Sequence, residues 1–191
     1  MLQMQDEQYW INCCRNGDQN AFYMLVEPLL NKVYSASVAI LRSTHQAEDA
    51  VQNAMLEAYA AIMKGKEIRN FTSWFKQLVA MRAIDLARKQ TRQQQLTENW
   101  GCMEPVDEEE QPAEALLRKE EEAILLKQVM SLDFNHRSVI LLYYYQDMSI
   151  EEIADVLNIK KGTVKSRLHH ARLKLLKLNQ ANPNKKVILH A

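Results

Sequence analysis

The chain has 191 residues, 47% of them apolar and 25% charged, with 24 basic residues balanced by 24 acidic ones. That mixture excludes a disordered polyelectrolyte and a disulfide-stapled scaffold, and it predicts a soluble protein able to bury a core. The longest apolar run, residues 139–145, is far short of the ~20 residues of a membrane-spanning helix, and the first residues carry Asp6 and Glu7 where a secretory signal would be basic, so a cytoplasmic protein is expected.

Gly17, Gly65, Gly101 and Gly162 each stand between segments of helical apolar spacing and are read as punctuation, where a left-handed or open backbone is needed. After the first of them, Ala47, Ala50, Val51, Ala54, Ala58 and Ile62 recur at three and four residues, the period of an amphipathic helix. Asp49, Gln52, Asn53 and Leu56 fall at i, i+3, i+4 and i+7 and share another face of that helix. The face is polar and acidic with one apolar contact, which fits a basic partner helix. Trp74, Leu78, Met81 and Asp85-Leu86 continue the helical period further on, with Trp74 read as core. Between residues 64 and 92 there are eight basic residues, Lys64, Lys66, Arg69, Lys76, Arg82, Arg88, Lys89 and Arg92, against only Glu67 and Asp85. Cations mixed with Phe71, Trp74 and Phe75 suit single-stranded DNA, which binds through backbone charge and pockets for bases.

Residues 93–115 break the pattern with Gly101, Pro105, Pro112 and the acidic Glu104, Asp107, Glu108, Glu109, Glu110 and Glu114. Such a stretch cannot bury enough apolar area to offset its ordering entropy and reads as a flexible acidic linker. The expected organisation is all-α: a helical domain over residues 1–92, the linker over 93–115, a second helical domain over 116–180, and a loose tail over 181–191. Residues 138–145, rich in Val, Ile and Tyr, favour a strand by propensity. An isolated strand has no partner, so helix is expected there as well.

Ser149-Ile150-Glu151-Glu152 is a capping box that starts a helix with Ile153, Ala154 and Leu157 inward. Asn158 and Ile159 supply a short turn, and a second helix begins near Lys161 or Gly162, which makes a helix-turn-helix. In the second helix Val164, Leu168, Ala171 and Leu175 form the buried stripe. The remaining face carries Thr163, Lys165, Ser166, Arg167, His169, His170 and Arg172, donors for phosphates and for base edges in a major groove. From residue 156 to the end there are nine Lys or Arg and no acidic residue. No nucleophile-and-base pair or phosphate-cradling glycine loop is evident, and Cys13, Cys14 and Cys102 with the five histidines define no metal ligand set. No catalytic residue, metal or cofactor is therefore expected.

The stretch from Ser149-Ile150-Glu151-Glu152-Ile153-Ala154 through Gly162-Thr163-Val164-Lys165-Ser166-Arg167-Leu168 to Ala171-Arg172 resembles the fourth domain of bacterial RNA polymerase sigma factors. Residues 46–59, with Ala47-Glu48-Asp49, Gln52 and Ala58-Tyr59, are similar to the polymerase-binding helix of the second sigma domain. Phe71-Thr72-Ser73-Trp74-Phe75 and Arg82-Ala83-Ile84-Asp85-Leu86-Ala87-Arg88-Lys89 resemble the segment that opens and reads the minus-10 element, and Gly17-Asp18-Gln19-Asn20-Ala21-Phe22 resembles the opening of such factors. The matches span nearly the whole chain apart from linker and tail, which makes the resemblance one to the extracytoplasmic-function (ECF) group.

The resemblance implies a factor that directs core polymerase to promoters in response to a signal and catalyses nothing itself. Glu48, Asp49, Gln52, Asn53 and Leu56 would grip the beta-prime clamp of the core, whose beta subunit is the other implied contact. Lys66, Arg69, Asn70, Phe71, Thr72, Met81, Arg82, Asp85, Arg88 and Lys89 would serve the minus-10 DNA, with residues 66–72 forming a pocket for a flipped base. On the minus-35 duplex, Lys165, Ser166, His169 and His170 would face bases while Thr163, Arg167 and Arg172 hold phosphates. Asn53, Met81 and His170 depart from the family's usual Glu, Asn and Arg, which bears on clamp charge and on base preference. An anti-sigma factor, often membrane-anchored, is the further implied partner. The acidic linker would lie in the polymerase's RNA exit path and yield to the growing transcript by like charge. The rival readings are a regulator that never touches polymerase and a nucleic-acid-processing enzyme.

Overall fold

The computed structural model describes residues 2–98 and 119–180. They form α1 (Leu2–Arg15), α2 (Gln19–Leu41), α3 (Thr44–Met63), α4 (Phe71–Glu98), α5 (Lys119–Ser131), α6 (Phe134–Ile140), a π-helical turn (Leu141–Tyr145), α7 (Ile150–Leu157) and α8 (Lys161–Gln180), with no strand among the described residues. The all-α expectation holds, and the Val- and Tyr-rich segment is helical as context required. Its second half widens into the π turn, where Gln146 N–H reaches back to the Leu141 carbonyl at 3.0 Å.

Local chemistry sets the boundaries. Gly17 has φ 94° and Gly65 φ 78°, values a Cβ would strain. Asp18 caps α2 by accepting from the Asn20 and Ala21 amides, and Ser43 caps α3 by accepting from Gln46. Gly162 is not punctuation: it lies inside the first turn of α8, and the left-handed residue at that corner is Asn158, φ 48°. Asparagine tolerates that conformation better than most residues. α4 continues to Glu98, past residue 92; the rest of the expected linker, Cys102 and the tail from residue 181 lie outside the described residues.

α1, α3 and α4 pack on α2. Residues Asn20–Leu41 of α2 are long and apolar enough to cross a membrane by length and composition, yet this is the central helix, with Leu25, Val26, Val33, Ala36 and Ile40 buried. The α3 stripe from Ala47 to Ile62 is buried as its period requires. On α4 the sequence reading is displaced around the helix: the buried residues are Phe71, Phe75, Leu78, Val79, Ala80, Ala83, Ile84 and Ala87, while Trp74 is half-buried and Met81 and Asp85 are exposed. Phe71 stacks on Phe75 at 5.5 Å, so the aromatic pair one turn apart takes the core.

The second group of helices packs on the first. One hydrophobic cluster joins Ala39, Ile40, Ala80, Ala83, Ile84 and Ala87 to Val129, Leu132, Val139, Leu142, Ile153, Leu157, Val164 and Leu168. Arg137 of α6, buried, donates to the carbonyls of Ala39 (3.0 Å), Ile40 (3.2 Å) and Leu132 (2.8 Å), so it closes the C-terminal end of α2 from across the seam. The Ala39 and Ile40 carbonyls lie in the last turn of α2, where a helix has no partner of its own to offer, and the guanidinium supplies one. Lys32 pairs with Asp147 at 2.5 Å, and Gln146 Nε2 donates to the Lys32 carbonyl at 2.8 Å.

Candidate nucleic-acid interface

Glu48, Asp49, Gln52, Asn53 and Leu56 are all exposed along α3, opposite its buried alanines. Leu56 is 70% exposed, the barest of the large apolar side chains among the described residues, and it stands in a strip of acids and amides. A leucine left in water within a polar strip costs free energy unless a partner covers it.

The loop between α3 and α4 is braced by α1. Gln8 Nε2 donates to the Ile68 carbonyl at 2.6 Å, and Arg15 donates to the Ile62 (3.3 Å) and Lys66 (2.8 Å) carbonyls. Glu7 lies at the start of α4, accepting from Phe71 N–H (2.8 Å), Thr72 N–H (3.2 Å) and Thr72 Oγ1 (2.6 Å). A carboxylate there satisfies orphan amides and the helix dipole together. Nothing local in the sequence signals these contacts, which span 47 to 65 positions. The braced loop frames an open cavity of about 200 Å3 lined by Glu67, Ile68, Arg69, Asn70, Ser73, Trp74 and Gln77. Lys66 lies 4.9 Å over the Trp74 ring. Arg69 pairs with Glu67, and Asn70 caps α4 through Ser73 N–H at 2.7 Å. Phe71 and Thr72, by contrast, are not offered to a ligand: Phe71 is buried and Thr72 is engaged by Glu7.

Further along α4, Met81, Asp85, Arg88 and Lys89 share one face by their spacing of four, three and one. Arg82 pairs with Glu57 of α3 at 3.2 Å and with Asp85 at 3.5 Å. Arg88 Nη2 donates to the Leu157 carbonyl, the last residue of α7, at 2.6 Å. At the other end of α7, Glu152 accepts from Ser73 Oγ and from Gln77 Nε2 (2.8 Å). Burial alone would raise the Glu152 carboxyl, but hydrogen bonds from Ser73, Ser149 and Gln77 outweigh it and hold it below the usual range. The sequence reading did not reach Ser73, Gln77 or this role of Glu152.

The capping box is formed in both directions, Glu152 N–H to Ser149 Oγ at 3.2 Å and Ser149 N–H to Glu152 Oε2 at 2.7 Å. The α8 stripe of Val164, Leu168, Ala171 and Leu175 is buried. Thr163, Lys165, Ser166, His169, His170 and Arg172 are exposed and Arg167 half-exposed, so the structure gathers the seven on the outer surface of one helix. Arg172 Nε donates to the Tyr144 hydroxyl at 2.8 Å and lies over the Tyr143 and Tyr144 rings, which fixes its head. His170 Nδ1 is 2.8 Å from the Ser166 carbonyl. A carbonyl only accepts, so this contact needs a proton on Nδ1, and the tautomer that makes it leaves Nε2 as an acceptor. Among the described residues no group of three or more His, Cys, Asp or Glu is placed to hold a metal ion.

Residues 25–93 match the family model of sigma-70 region 2, and residues 122–175 match that of sigma-70 region 4. The ECF RNA polymerase sigma factor SigW of Bacillus subtilis is 31% identical over 170 residues, covering 85% of this chain and 91% of that protein. The ECF RNA polymerase sigma-E factor of Escherichia coli is 27% identical over 179 residues, covering 90% and 93%. Among solved structures, CnrH in complex with the cytosolic domain of CnrY is similar in fold, with TM-score 0.61, 22% identity and coverage of 93% of this chain and 99% of that one. The sigma factor RpoE in complex with the anti-sigma factor NepR, from Bartonella quintana, gives TM-score 0.64 at 22% identity, covering 84% and 98%.

Proposed function

The chain belongs to the ECF group of the sigma-70 family, and from that premise we propose how its surfaces divide the work of taking RNA polymerase core to promoters and initiating transcription there. The exposed strip of Glu48, Asp49, Gln52, Asn53 and Leu56 docks on the core. The loop cavity and the α4 face of Met81, Asp85, Arg88 and Lys89 take the minus-10 DNA, with Lys66, Arg69 and Asn70 at the loop. The outer face of α8 takes the minus-35 duplex. The corresponding units are residues 1–92 and 116–180, with residues 93–115 between them and a tail from 181. The protein supplies placement and strand capture, and the reaction itself is the polymerase's. A core-polymerase partner puts its work in the cytoplasm. Because CnrH is seen with CnrY and RpoE with an anti-sigma factor, we infer an anti-sigma partner for this chain too.

The observation that carries the reading is Leu56, bare among acids and amides on a helix whose other side is wholly buried. Run-off transcription with purified core polymerase tests it. The wild-type chain confers promoter-specific starts, and Leu56→Asp lowers them at least tenfold while α-helical circular dichroism is unchanged. A chain that binds duplex DNA but never associates with core at low salt would reduce the reading to a regulator independent of polymerase.

A further inference from the structure

We propose that Ser73 and Gln77 are the donors that hold an oxygen of the unstacked base in the loop cavity, and that Glu152 of the helix-turn-helix occupies them when the two halves are closed, so that base capture and closure exclude each other. The proposal rests on the sigma-factor reading above and names the regulation of its minus-10 site.

Ser73 and Gln77 are one turn apart on α4 and share a wall of the cavity with Asn70 and Trp74. Their donors converge on a single atom: Ser73 Oγ and Gln77 Nε2 both donate to Glu152 Oε1, the second at 2.8 Å. Gln77 Nε2 also lies 3.2 Å from Ser73 Oγ, which holds the pair together. Two donors aimed at one oxygen match the exocyclic carbonyl of thymine, cytosine or guanine, a group adenine lacks. The carboxylate oxygen stands where that carbonyl would be. It also binds more strongly than a neutral carbonyl, because a hydrogen bond to a charged acceptor is about twice as strong.

Glu152 reaches these two side chains of the cavity wall from the other half, 79 positions along the chain from Ser73, while its second oxygen accepts from Ser149 N–H at 2.7 Å. One carboxylate thus starts α7 and closes the seam. At the far end of the same helix the Leu157 carbonyl holds Arg88 at 2.6 Å, a cation that the α4 face would otherwise offer to phosphate. α7 therefore takes a base-reading pair and a phosphate ligand out of service together.

The test has two arms. In the first, core polymerase loaded with the chain selects promoters from a library randomised at both elements. Ser73→Ala and Gln77→Ala should each relax selection at one minus-10 position about fivefold and leave minus-35 selection unchanged. In the second, the free protein binds a single-stranded oligonucleotide carrying the selected non-template minus-10 sequence. Glu152→Ala should bind it at least threefold more tightly than wild type, and the gain should vanish once core is added and the halves are apart. Ser149→Asp combined with Glu152→Ala keeps a cap on α7 and should show the same gain, which separates release of the clasp from loss of fold. Unchanged minus-10 selection in both α4 variants, or no gain in both Glu152 variants, overturns the proposal. Absence of selection at either element by the wild-type holoenzyme would instead overturn the reading on which it rests.

Discussion

His170 shows how one proton can set a preference. In the tautomer that gives its Nδ1–H to the Ser166 carbonyl, Nε2 is an acceptor, and acceptors suit the amino groups of cytosine or adenine in the major groove. His170→Arg replaces that acceptor with a donor fork and is expected to move selection at one minus-35 position toward guanine by about tenfold, read from a randomised promoter library. Asp133 shows the acid sensitivity of a single cap. It accepts from His136 N–H and from Lys174 Nζ (2.7 Å). Burial would raise its carboxyl, but the Lys174 and His136 hydrogen bonds hold it far below the usual carboxylate range. A depressed carboxyl contributes stability above its unfolded value and loses it as pH falls through the lower folded one. Unfolding free energy should therefore drop below about pH 4, and Asp133→Asn should flatten that slope in urea titrations at pH 2 to 5. Arg137 is a costly side chain to remove. Burial, and then the neighbouring Arg42, bring its guanidinium down to about 10, so it stays charged at neutral pH. Arg137→Ala strands three carbonyls and is expected to cost ~3 kcal/mol, seen as a lower Tm.

Among the elements, α7 and α8 were the most legible in the sequence because each of their signals is local. The capping box, the Asn158-Ile159 turn and the stripe at three and four residues lie within about thirty positions and point to one answer, although Gly162, read as punctuation, lies inside α8 and the left-handed residue is Asn158. Ser149→Ala should lower stability by ~1 kcal/mol, with the earliest loss at α7 in amide hydrogen exchange. α4 was harder to place. Trp74, Leu78 and Met81 keep the same helical period as Phe71, Phe75 and Leu78, and periodicity alone does not choose between stripes that share a residue. The resemblance implied a base pocket over residues 66–72, but the cavity's α4 wall of Ser73, Trp74 and Gln77 was not legible, and its bracing depends on Glu7, Gln8 and Arg15 from far along the chain. Glu7→Ala should speed exchange of the Phe71 and Thr72 amides at least tenfold and weaken minus-10 strand binding. Unchanged exchange at those two amides would remove α1 from the site.

At the scale of the whole molecule, sequence reading foresaw two helical units, and the seam between them came only from the fold. The seam's polar members, Lys32, Lys76, Arg88, Arg137, Gln146, Asp147 and Glu152, are single residues with no shared motif, and Lys76, Arg88, Arg137 and Gln146 donate to backbone carbonyls of the other half. Since one apolar cluster serves both halves, thermal unfolding of the free protein should follow a single cooperative transition by calorimetry. The first half brings mostly alanine to that cluster: Ala39, Ala47, Ala50, Ala80, Ala83 and Ala87 beside Ile40, Leu41 and Ile84. A methyl group wets cheaply, and carbonyls released from arginine or lysine find water at once. The joint is therefore built more like a latch than a weld: the surface that the first half contributes to it is mostly methyl groups and backbone carbonyls, which lose little on meeting water.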